Sequence, residues 1–400
     1  MIASLGEGES EIRGFLDAAD PRSTLSCLQG LGVDISRGPE SVRVHGRGLH
    51  ALRAPTSSLD AGNSGTTMRL LSGILAGQPF RSTITGDESL RQRPMKRIID
   101  PLSRMGARIN SASAQTAPLE IIGAFPLRSL RYSMEKPSAQ VKSSVLLAGL
   151  FAEGITEVIE KTLTRDHTER MLGLSVNRSN AGFIASVNGG RRIEAQAYEI
   201  PGDISSAAFL IAAATLVPGS AVRMEGVGLN PTRTKILDLF RSLGASIETD
   251  RLRTIAGEPI GDLVVTSSQL RGNVVLNAQD VAELIDEIPI IATTLALNSV
   301  PLTVRGGADL RNKESDRIHA VVANLRKLGV EVEEYDDGFA FETKNSLIPA
   351  ECNSFNDHRI AMAFGVAGLA LKGETIVRDA DCVDISFPSF WSLLEGLQHH

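Results

Sequence analysis

The sequence predicts an α/β protein of two similar domains, each built from repeated units with apolar helices inside and sheets outside. The main sign is a Leu-Gly or Met-Gly turn between a helix and a strand, which recurs about every 75 residues. The turn glycines are Gly32, Gly106, Gly173, Gly244 and Gly329. A period this long, with a helix and a strand in each copy, is typical of a duplicated α/β module rather than of a short solenoid repeat. The length of 400 residues leaves room for two hydrophobic cores.

Glycine at these turns has a conformational explanation. A helix often ends through a residue in the left-handed region of backbone space, which glycine adopts at the least cost because it has no Cβ. Each repeat is therefore predicted to leave its helix through the turn glycine and to enter a strand directly afterwards.

Two kinds of helix are predicted in the repeats. The first is short, rich in Ala and Gly and apolar on every face, so it should be buried on all sides. Such helices are predicted over residues 64–77, 138–154, 205–219, 288–298 and 360–373. Strands should follow them over residues 81–86, 155–161, 221–226, 301–306 and 374–379. The second kind is amphipathic and should lie near the surface, as at residues 94–106 and 316–329.

Polar residues stand at the N-termini of the apolar helices. The segments cover residues 62–67, 138–140, 202–206, 286–288 and 356–359. Ser, Asp and Asn there can act simply as N-caps, which is the commonest reason for such residues. Free backbone N–H groups and the helix dipole at the same place also attract phosphate and carboxylate. Because the pattern recurs and includes Arg and Gln, we favour anion binding for the set.

Composition excludes several classes of function. The net charge of −6 gives no global basic field for nucleic acid, so an anionic ligand must be held by a local cluster of Arg and Lys. No apolar run is long and charge-free enough to span a membrane, and the first residues lack the pattern of a signal peptide. The cysteines are Cys27, Cys352 and Cys382; they are odd in number and lack metal spacing, which fits a reducing compartment. A cytoplasmic location is expected.

A domain boundary is predicted near residues 199–202. Residues 1–200 would hold repeats one to three and residues 201–400 repeats four to six. The active site is expected in the cleft between the two domains.

Four segments, taken in order, resemble the 5-enolpyruvylshikimate-3-phosphate (EPSP) synthase family. They are residues 62–69 (GNSGTTMR), 91–95 (RQRPM), 313–317 (KESDR) and 357–362 (DHRIAM). Residues 138–143 and 164–169 resemble the class II branch most. The resemblance runs from about residue 3 to residue 395. It implies the enolpyruvyl transferase fold, a two-domain inside-out α/β barrel of repeated βαβαββ units.

The resemblance also implies a reaction. The enolpyruvyl group of phosphoenolpyruvate moves to the 5-hydroxyl of shikimate 3-phosphate and phosphate leaves, in the pathway to chorismate and the aromatic amino acids. The family proceeds by addition and then elimination, without a metal or another cofactor. No nucleic-acid or membrane partner is expected, and the protein should be a monomer. The family is the target of glyphosate, an anion that competes for the phosphoenolpyruvate site.

Residue roles follow from the matched positions. The expected catalytic groups are Asp286 as the base and Glu314 as the proton donor. The expected phosphoenolpyruvate site consists of Gly65, Arg93, Gln140, Arg317 and Arg359. The expected shikimate 3-phosphate site consists of Ser138, Ala139, Gln140, Arg165, Asp286 and Lys313. Asn63 and Arg69 are expected in support, with Arg69 orienting the Asn63 loop. Arginine suits these ligands because its planar fork pairs with phosphate and carboxylate in a bidentate way.

The start of the chain departs from the family pattern. Family members begin with a strand and a Pro-Gly-Asp-Lys-Ser-x-Ser-x-Arg-like segment that supplies substrate contacts, whereas Met1 here is expected inside the following helix. The first repeat is therefore expected to be truncated and to lack these substrate contacts, which would lower the activity of this form. Two alternatives stay open. One is the enolpyruvyl transferase that acts on UDP-N-acetylglucosamine, for which Cys27 would have to be the loop cysteine; the other is an inactive binding protein.

Overall fold

The computed structural model describes residues 1–112, 114–342 and 347–398. These residues form two compact units. The first contains Met1–Ile200 and Thr254–Glu258, and the second contains Pro201–Arg253 and the described residues from Pro259 onward. The assignment of three repeats to each domain, with an active site in the cleft, stays a prediction.

The first unit alternates helices and strands along the chain. Its helices are α1 (Ile2–Leu5), α2 (Ala19–Gly30), α3 (Gly65–Ala76), α4 (Glu88–Gln92), α5 (Lys96–Arg104), α6 (Ala139–Gly149) and α7 (His167–Leu172). Its strands are β1 (Glu7–Arg13), β2 (Asp34–Arg37), β3 (Ser41–Arg47), β4 (Leu59–Asp60), β5 (Arg81–Thr85), β6 (Arg108–Asn110), β7 (Leu119–Ile122), β8 (Leu127–Arg128), β9 (Arg131–Ser133), β10 (Ala152–Glu153), β11 (Ile155–Glu160), β12 (Ser175–Ser179), β13 (Gly182–Asn188) and β14 (Tyr198–Glu199).

The second unit alternates helices and strands in the same way. Its helices are α8 (Ile204–Leu216), α9 (Lys235–Ser242), α10 (Ala278–Leu284), α11 (Ile288–Leu297), α12 (Arg317–Lys327), α13 (His358–Ala370) and α14 (Phe390–Gln398). Its strands are β15 (Ala221–Gly228), β16 (Ser246–Ile255), β17 (Glu258–Thr266), β18 (Val274–Leu276), β19 (Leu302–Val304), β20 (Val332–Tyr335), β21 (Gly338–Phe341), β22 (Glu351–Asn353) and β23 (Ile376–Arg378). Two 3₁₀ helices cover Ala308–Asn312 and Ala380–Ile385.

The sheets reveal the repeated unit. Among the described residues, four sheets share one pattern, in which a parallel pair is continued by two antiparallel strands. Their orders are β14-β1-β3-β2, β4-β5-β7-β6, β9-β11-β13-β12 and β18-β19-β21-β20. In the sheet β15-β17-β16, a parallel bridge from Gly202 to Val227 occupies the place of the parallel strand. The inside-out fold of βαβαββ units is thus confirmed.

The turn glycines adopt the backbone that the repeat predicted. Their φ angles are +82° at Gly32, +115° at Gly106, +57° at Gly173, +98° at Gly244 and +92° at Gly329. A side chain with a Cβ would be strained at each of these positions. The turn therefore fixes where each amphipathic helix ends and its hairpin begins.

The apolar helices form the interior of each unit. α3 and α6 are buried along most of their length in the first unit, and α8, α11 and α13 in the second. α3 and α6 approach so closely that a Cβ at Gly73 would lie 2.2 Å from the carbonyl oxygen of Ser144. Only glycine allows this contact, because any side chain there would push the two backbones apart.

The ends of the buried helices differ in part from the prediction. α6 ends at Gly149, whereas the apolar composition predicted a helix to residue 154. Its continuation is overridden by tertiary pairing, since Ala152 and Glu153 form β10 parallel to β8. α13 begins at His358, two residues before the predicted start, because Asp357 caps it.

The outer surface of each unit is formed by sheets and amphipathic helices. Residues of β3 alternate between buried and exposed, and those of β12 are all exposed. The amphipathic helices predicted at residues 94–106 and 316–329 are α5 and α12. Within the described ranges, no helix has the length and apolar character needed to cross a membrane.

Candidate active site

The N-termini of four buried helices, α3, α6, α8 and α13, are capped by polar residues that the sequence singled out, whereas Glu287 makes no side-chain cap at the start of α11. Ser64 accepts from Thr67 N at 3.2 Å in α3, and Ser138 accepts from Val141 N at 3.4 Å in α6. In the second unit, Asp203 caps α8 and Asp357 caps α13. Capping is therefore real at these positions, and it leaves other backbone N–H groups of the first turn available for anions.

The loop before α3 is held by a short chain of side chains. The Asn63 amide donates to Asp87 Oδ2 at 2.7 Å, and Arg93 Nη2 donates to Asn63 Oδ1 at 2.7 Å. The Leu90 backbone N–H and the Asn63 amide hold the pKa of Asp87 below its usual value, so the carboxylate is charged at neutral pH. Asn63 thereby couples a fixed anion to Arg93, one of the predicted ligands of phosphoenolpyruvate.

Arg69 contacts a different residue from the one expected. Its Nη1 donates to Gln140 Oε1 at 2.7 Å, and Gln140 Nε2 donates to Thr66 Oγ1 at 2.9 Å. The expected role in orienting the Asn63 loop is thus not what the hydrogen bonds indicate, since Asp87 and Arg93 hold that loop. Arg69 instead links α3 to the first turn of α6. Burial lowers the pKa of Arg69, and the neighbouring Arg93 and Arg97 lower it further.

Gly65 is the first residue of α3 and has ordinary backbone geometry. A Cβ there would lie 2.6 Å from Arg69 Nη1 and 3.5 Å from Arg93 Nη1. The absence of a side chain therefore leaves room for the arginines rather than relieving backbone strain. Predicted ligand residues from both α3 and the 91–93 segment converge at this point.

The first turn of α6 carries the predicted residues Ser138, Ala139 and Gln140. The predicted phosphate ligand Arg165 lies in the segment between β11 and α7, and its side chain is exposed. Both stretches belong to the first unit.

A buried charge cluster next to this segment was missed by the sequence reasoning. The Lys142 ammonium lies 2.6 Å from Glu160 Oε1 and 2.7 Å from Glu169 Oε1, and all three side chains are at most 3% exposed. Burial raises the pKa of Glu169, although Lys142 acts to lower it. The available signal was a lysine within an otherwise apolar helix, because a buried charge needs a partner.

In the second unit, Arg317 is surrounded by carboxylates. Its guanidinium contacts Asp357 Oδ2 at 2.8 Å, Asp286 Oδ1 at 3.3 Å and Glu314 Oε2 at 2.6 Å. The Arg317 side chain is 1% exposed. Burial opposes its charge, but Asp357 and the other carboxylates raise the pKa of Arg317 overall. The expected catalytic base, Asp286, and the expected proton donor, Glu314, therefore both form ion pairs with Arg317.

Asp286 faces two further cations. Arg359 Nη1 donates to its backbone carbonyl at 3.2 Å, and Arg359 Nε lies 3.8 Å from Asp286 Oδ1. Lys313 Nζ lies 4.0 Å from the same oxygen. Asp286 is 16% exposed, whereas Glu314 is 50% exposed. The structure therefore brings together the expected residues of the second unit: Asp286, Lys313, Glu314, Arg317 and Arg359.

Asp357 is a second residue that the sequence reasoning did not assign to the site. It is 0% exposed, pairs with Arg317 and accepts from Arg359 N at 2.9 Å. Burial raises the pKa of Asp357, but Arg317 lowers it by more, so the group is ionised at neutral pH. Its signal was the N-cap position before His358 and Arg359. Burial lowers the pKa of His358, which favours a neutral imidazole.

A further buried group joins the N-termini of α8 and α11. The Ser205 hydroxyl donates to Glu287 Oε1, and Arg233 Nη2 donates to Ser205 Oγ. Arg233 also lies 3.5 Å from Glu287 Oε1. Because Glu287 directly follows Asp286, this group fixes the backbone that carries the expected base.

Cys27 does not have the environment of a reactive loop cysteine. Its side chain is 1% exposed, and its Sγ donates to the Asp60 carbonyl at 3.3 Å within a helix-to-strand contact. Burial raises the pKa of the Cys27 thiol to about 11. A thiol that is buried and protonated is unsuited to nucleophilic or acid–base chemistry. Within the described ranges, no group of His, Cys, Asp and Glu side chains has the arrangement of a metal site.

Comparison with known proteins gives one consistent family. Residues 1–394 match the family described as EPSP synthase (3-phosphoshikimate 1-carboxyvinyltransferase). The 3-phosphoshikimate 1-carboxyvinyltransferase of Salinibacter ruber is 48% identical over 398 residues, which are 98% of this chain and 92% of that protein. The enzyme of the same name from Solibacter usitatus is 48% identical over 400 residues, 99% of this chain and 93% of that protein.

A solved structure agrees with the sequence relatives. The EPSP synthase of Acinetobacter baumannii has a TM-score of 0.91 and 39% sequence identity, and the match covers 99% of this chain and 92% of that one. The same family is thus found by sequence and by fold.

Proposed function

Because the chain belongs to the EPSP synthase (3-phosphoshikimate 1-carboxyvinyltransferase) family, we infer that it is a transferase acting on phosphoenolpyruvate and shikimate 3-phosphate. It transfers the enolpyruvyl group to the 5-hydroxyl of shikimate 3-phosphate and releases phosphate, a step of aromatic amino acid biosynthesis. The UDP-N-acetylglucosamine reaction and a purely binding role are not favoured. The buried Cys27 argues independently against the former.

We propose that the residues of the first unit supply phosphate and carboxylate recognition. Arg93, the first turn of α3 at Gly65 and Gln140 would contact phosphoenolpyruvate. Ser138, Ala139 and Gln140 at the first turn of α6, together with Arg165, would hold shikimate 3-phosphate. The hydrogen bonds from Arg69 to Gln140 and from Arg93 to Asn63 support this proposal, because they keep the donors in place before a ligand arrives.

The second unit would supply the remaining cations and the acid–base groups. In the addition step, the 5-hydroxyl oxygen forms a bond to C2 of phosphoenolpyruvate. Its proton goes to Asp286, and a proton from Glu314 goes to the methylene carbon. In the elimination step, the C2–O bond to phosphate breaks, the ionised Glu314 takes a proton back from the methyl carbon, and the proton on Asp286 leaves with the phosphate. Arg317 and Arg359 would bind phosphoenolpyruvate, and Lys313 would contact shikimate 3-phosphate.

The observation that carries this proposal is the placement of Asp286 and Glu314 on the same buried arginine. Paired carboxylates in unlike environments suit complementary acid and base roles, and here one is largely buried while the other is half exposed. A cation shared by both would also stabilise negative charge that develops on the departing phosphate. The two clusters are proposed to act together on the bound substrates.

The proposal is tested by incubating the purified chain with phosphoenolpyruvate and shikimate 3-phosphate and measuring phosphate release and the mass of the product. UDP-N-acetylglucosamine is the control acceptor. The expected result is enolpyruvylshikimate 3-phosphate with stoichiometric phosphate, and no transfer to the control. Transfer to the nucleotide sugar alone would overturn the proposal. The monomeric state and the cytoplasmic location of the enzyme stay predictions.

A further inference from the structure

The buried cluster around Lys142 takes no part in the chemistry proposed above, although ions this deeply buried are costly. Lys142 is 0% exposed in the first turn of α6, and Glu160 and Glu169 are 3% and 2% exposed. Removing such charges from water is compensated only when their contacts are complete and well aligned. An apolar residue at position 142 would fit the rest of the helix, so the specific contacts of the lysine are what distinguish it.

Those contacts bring α6 together with neighbouring elements. Glu160 is the last residue of β11 and Glu169 lies in α7, so the ammonium ties α6 to both. It also donates to the carbonyl oxygen of Thr164 at 3.2 Å, in the segment between β11 and α7. The ammonium therefore donates hydrogen bonds to Glu160 and Thr164, whereas its contact with Glu169 is an ion pair without a hydrogen bond.

Thr164 is fixed through its side chain as well as its backbone. Its hydroxyl donates to Glu160 Oε2 at 2.7 Å, while its carbonyl accepts from Lys142. The next residue is Arg165, whose exposed side chain is the proposed ligand of the shikimate phosphate. Lys142 also lies one turn after Ser138 on the same helix, and its backbone N–H donates to the Ser138 carbonyl. The cluster therefore connects the two stretches of the first unit that are proposed to hold this substrate.

We propose that Lys142, Glu160 and Thr164 are positioning residues for phosphate recognition. They hold the backbone of the Arg165 segment at a fixed distance from the first turn of α6, so that the arginine and the helix donors meet one shikimate 3-phosphate molecule together. They do not touch the substrate themselves. This inference rests on the proposed function and on the placement of Arg165 in the phosphate site.

Thr164→Val tests the inference with a small change, because it removes the hydroxyl and keeps the shape. Loss of a hydrogen bond to a charged group is expected to raise the Kd of shikimate 3-phosphate, measured by calorimetry, about tenfold. The KM for phosphoenolpyruvate and the affinity for unphosphorylated shikimate should not change. The double variant Lys142→Met with Glu160→Gln removes both charges at similar volume and should weaken shikimate 3-phosphate binding further.

Thr168→Val is the matched control. Thr168 Oγ1 donates to Ser143 Oγ at 2.7 Å, so this variant also loses a hydroxyl bond between α7 and α6 without touching the Thr164 segment. It should bind shikimate 3-phosphate as the native enzyme does. Equal weakening by Thr164→Val and Thr168→Val would mean a general packing effect and would overturn the inference.

A double-mutant cycle with Arg165→Gln tests whether Thr164 influences shikimate 3-phosphate binding through Arg165. If Thr164 acts through Arg165, Thr164→Val should have little further effect in the Arg165→Gln background. Full additivity would contradict the positioning role. If the native enzyme binds no shikimate 3-phosphate, the proposed function and this inference fall together. If it binds and Thr164→Val binds equally well, only the inference falls.

Discussion

The guanidinium of Arg317 and the carboxylate of Asp357 form a buried ion pair, with Nε 2.8 Å from Oδ2 and the side chains 1% and 0% exposed. Asp357 also caps α13 through the backbone N–H of Arg359. One carboxylate thus holds the side chain of Arg317 and the backbone of Arg359, the two arginines of this unit that are proposed to bind phosphoenolpyruvate. This second role for a helix cap makes the pair a sensitive point in both folding and binding.

Arg317→Lys should be severely damaging, even though it keeps the charge. A lysine ammonium cannot reproduce the planar fork that contacts Asp286, Glu314 and Asp357. Disrupting a buried pair typically costs about 3–5 kcal/mol, and we expect a loss toward the lower end because the charge remains. Denaturant unfolding and kcat/KM for phosphoenolpyruvate would measure the two effects. Arg326→Lys, on the same helix but half exposed, is the control and should change neither quantity appreciably.

Asp357→Asn should lose stability in a manner that depends on pH. The folded-state pKa of Asp357 lies below its ordinary value of 3.8, so the carboxylate contributes stability above that value and loses it as the pH falls through the folded pKa. The difference in unfolding free energy between native protein and variant should therefore be full at pH 7 and shrink in strong acid. Urea titrations across this range would reveal it. A difference that is independent of pH would contradict the proposed charge of Asp357.

Glu169→Gln should show the opposite dependence. The folded-state pKa of Glu169 lies above its ordinary value of 4.5, because burial favours the neutral acid. The native carboxyl therefore contributes most below that value and loses this contribution as the pH rises through the folded pKa. Glutamine does not ionise, so the unfolding free energy of the variant should gain on that of native protein as the pH rises from 4.5 to 8. Urea titrations at both pH values are the measurement, and a gain that grows in acid would refute the assignment.

Asp286→Ala and Glu314→Gln should each remove most of the turnover. General acid–base groups contribute about 10²–10⁴-fold to the rate, and kcat should fall within that range. Steady-state phosphate release at saturating substrates is the appropriate measurement. Asp309→Asn, an exposed acid in the 3₁₀ helix Ala308–Asn312, is the control. Unchanged turnover in both site variants would refute their assigned roles.

Glyphosate inhibition should depend on Gly65. We expect the native enzyme to be sensitive, and Gly65→Ala to weaken inhibition more than phosphoenolpyruvate binding, because a clash with the longer ligand affects only that ligand. The backbone at Gly65 permits alanine, but the methyl group would lie 2.6 Å from Arg69 Nη1, and Arg69 holds Gln140. Some rise in KM for phosphoenolpyruvate should accompany the loss of inhibition.

Inhibition constants for native enzyme and Gly65→Ala decide this point. Gly396→Ala, which introduces a methyl group into open space, should leave both constants unchanged. Resistance of the native enzyme to millimolar glyphosate, or equal losses for inhibitor and substrate in Gly65→Ala, would show that the steric argument is wrong.

Local requirements were the part of the fold that could be predicted from sequence. Each turn glycine is required by the backbone conformation of a single residue, and each apolar helix has a uniform composition along its length. Both features can therefore be recognised in the sequence alone. The end of α6 could not be predicted in this way, because it is set by the pairing of β10 with β8 rather than by helix propensity. Strand pairing depends on residues that are remote in sequence.

The candidate site divides in the same way. Its expected residues came from family resemblance, and the structure adds the partners that hold them. The link from Arg69 to Gln140 joins residues 71 positions apart, and that from Arg317 to Asp357 joins residues 40 apart. A lysine in an apolar helix reveals that a buried counterion is needed, but the choice of Glu160 and Glu169 for Lys142 depends on the fold.

The contact at Gly73 has a consequence for how this enzyme can change. Two turns separate Gly73 from the first residue of α3, yet its missing side chain sets how close α3 and α6 lie to one another. A methyl group inserted between the backbones would widen the gap between the helix ends that carry Gly65 and Gln140. A mutation at Gly73 is therefore expected to change substrate affinity, although this residue is not among the proposed ligand contacts. A screen for variants with altered inhibitor response should yield substitutions along the contact between α3 and α6 as well as at the helix N-termini proposed to bind anions.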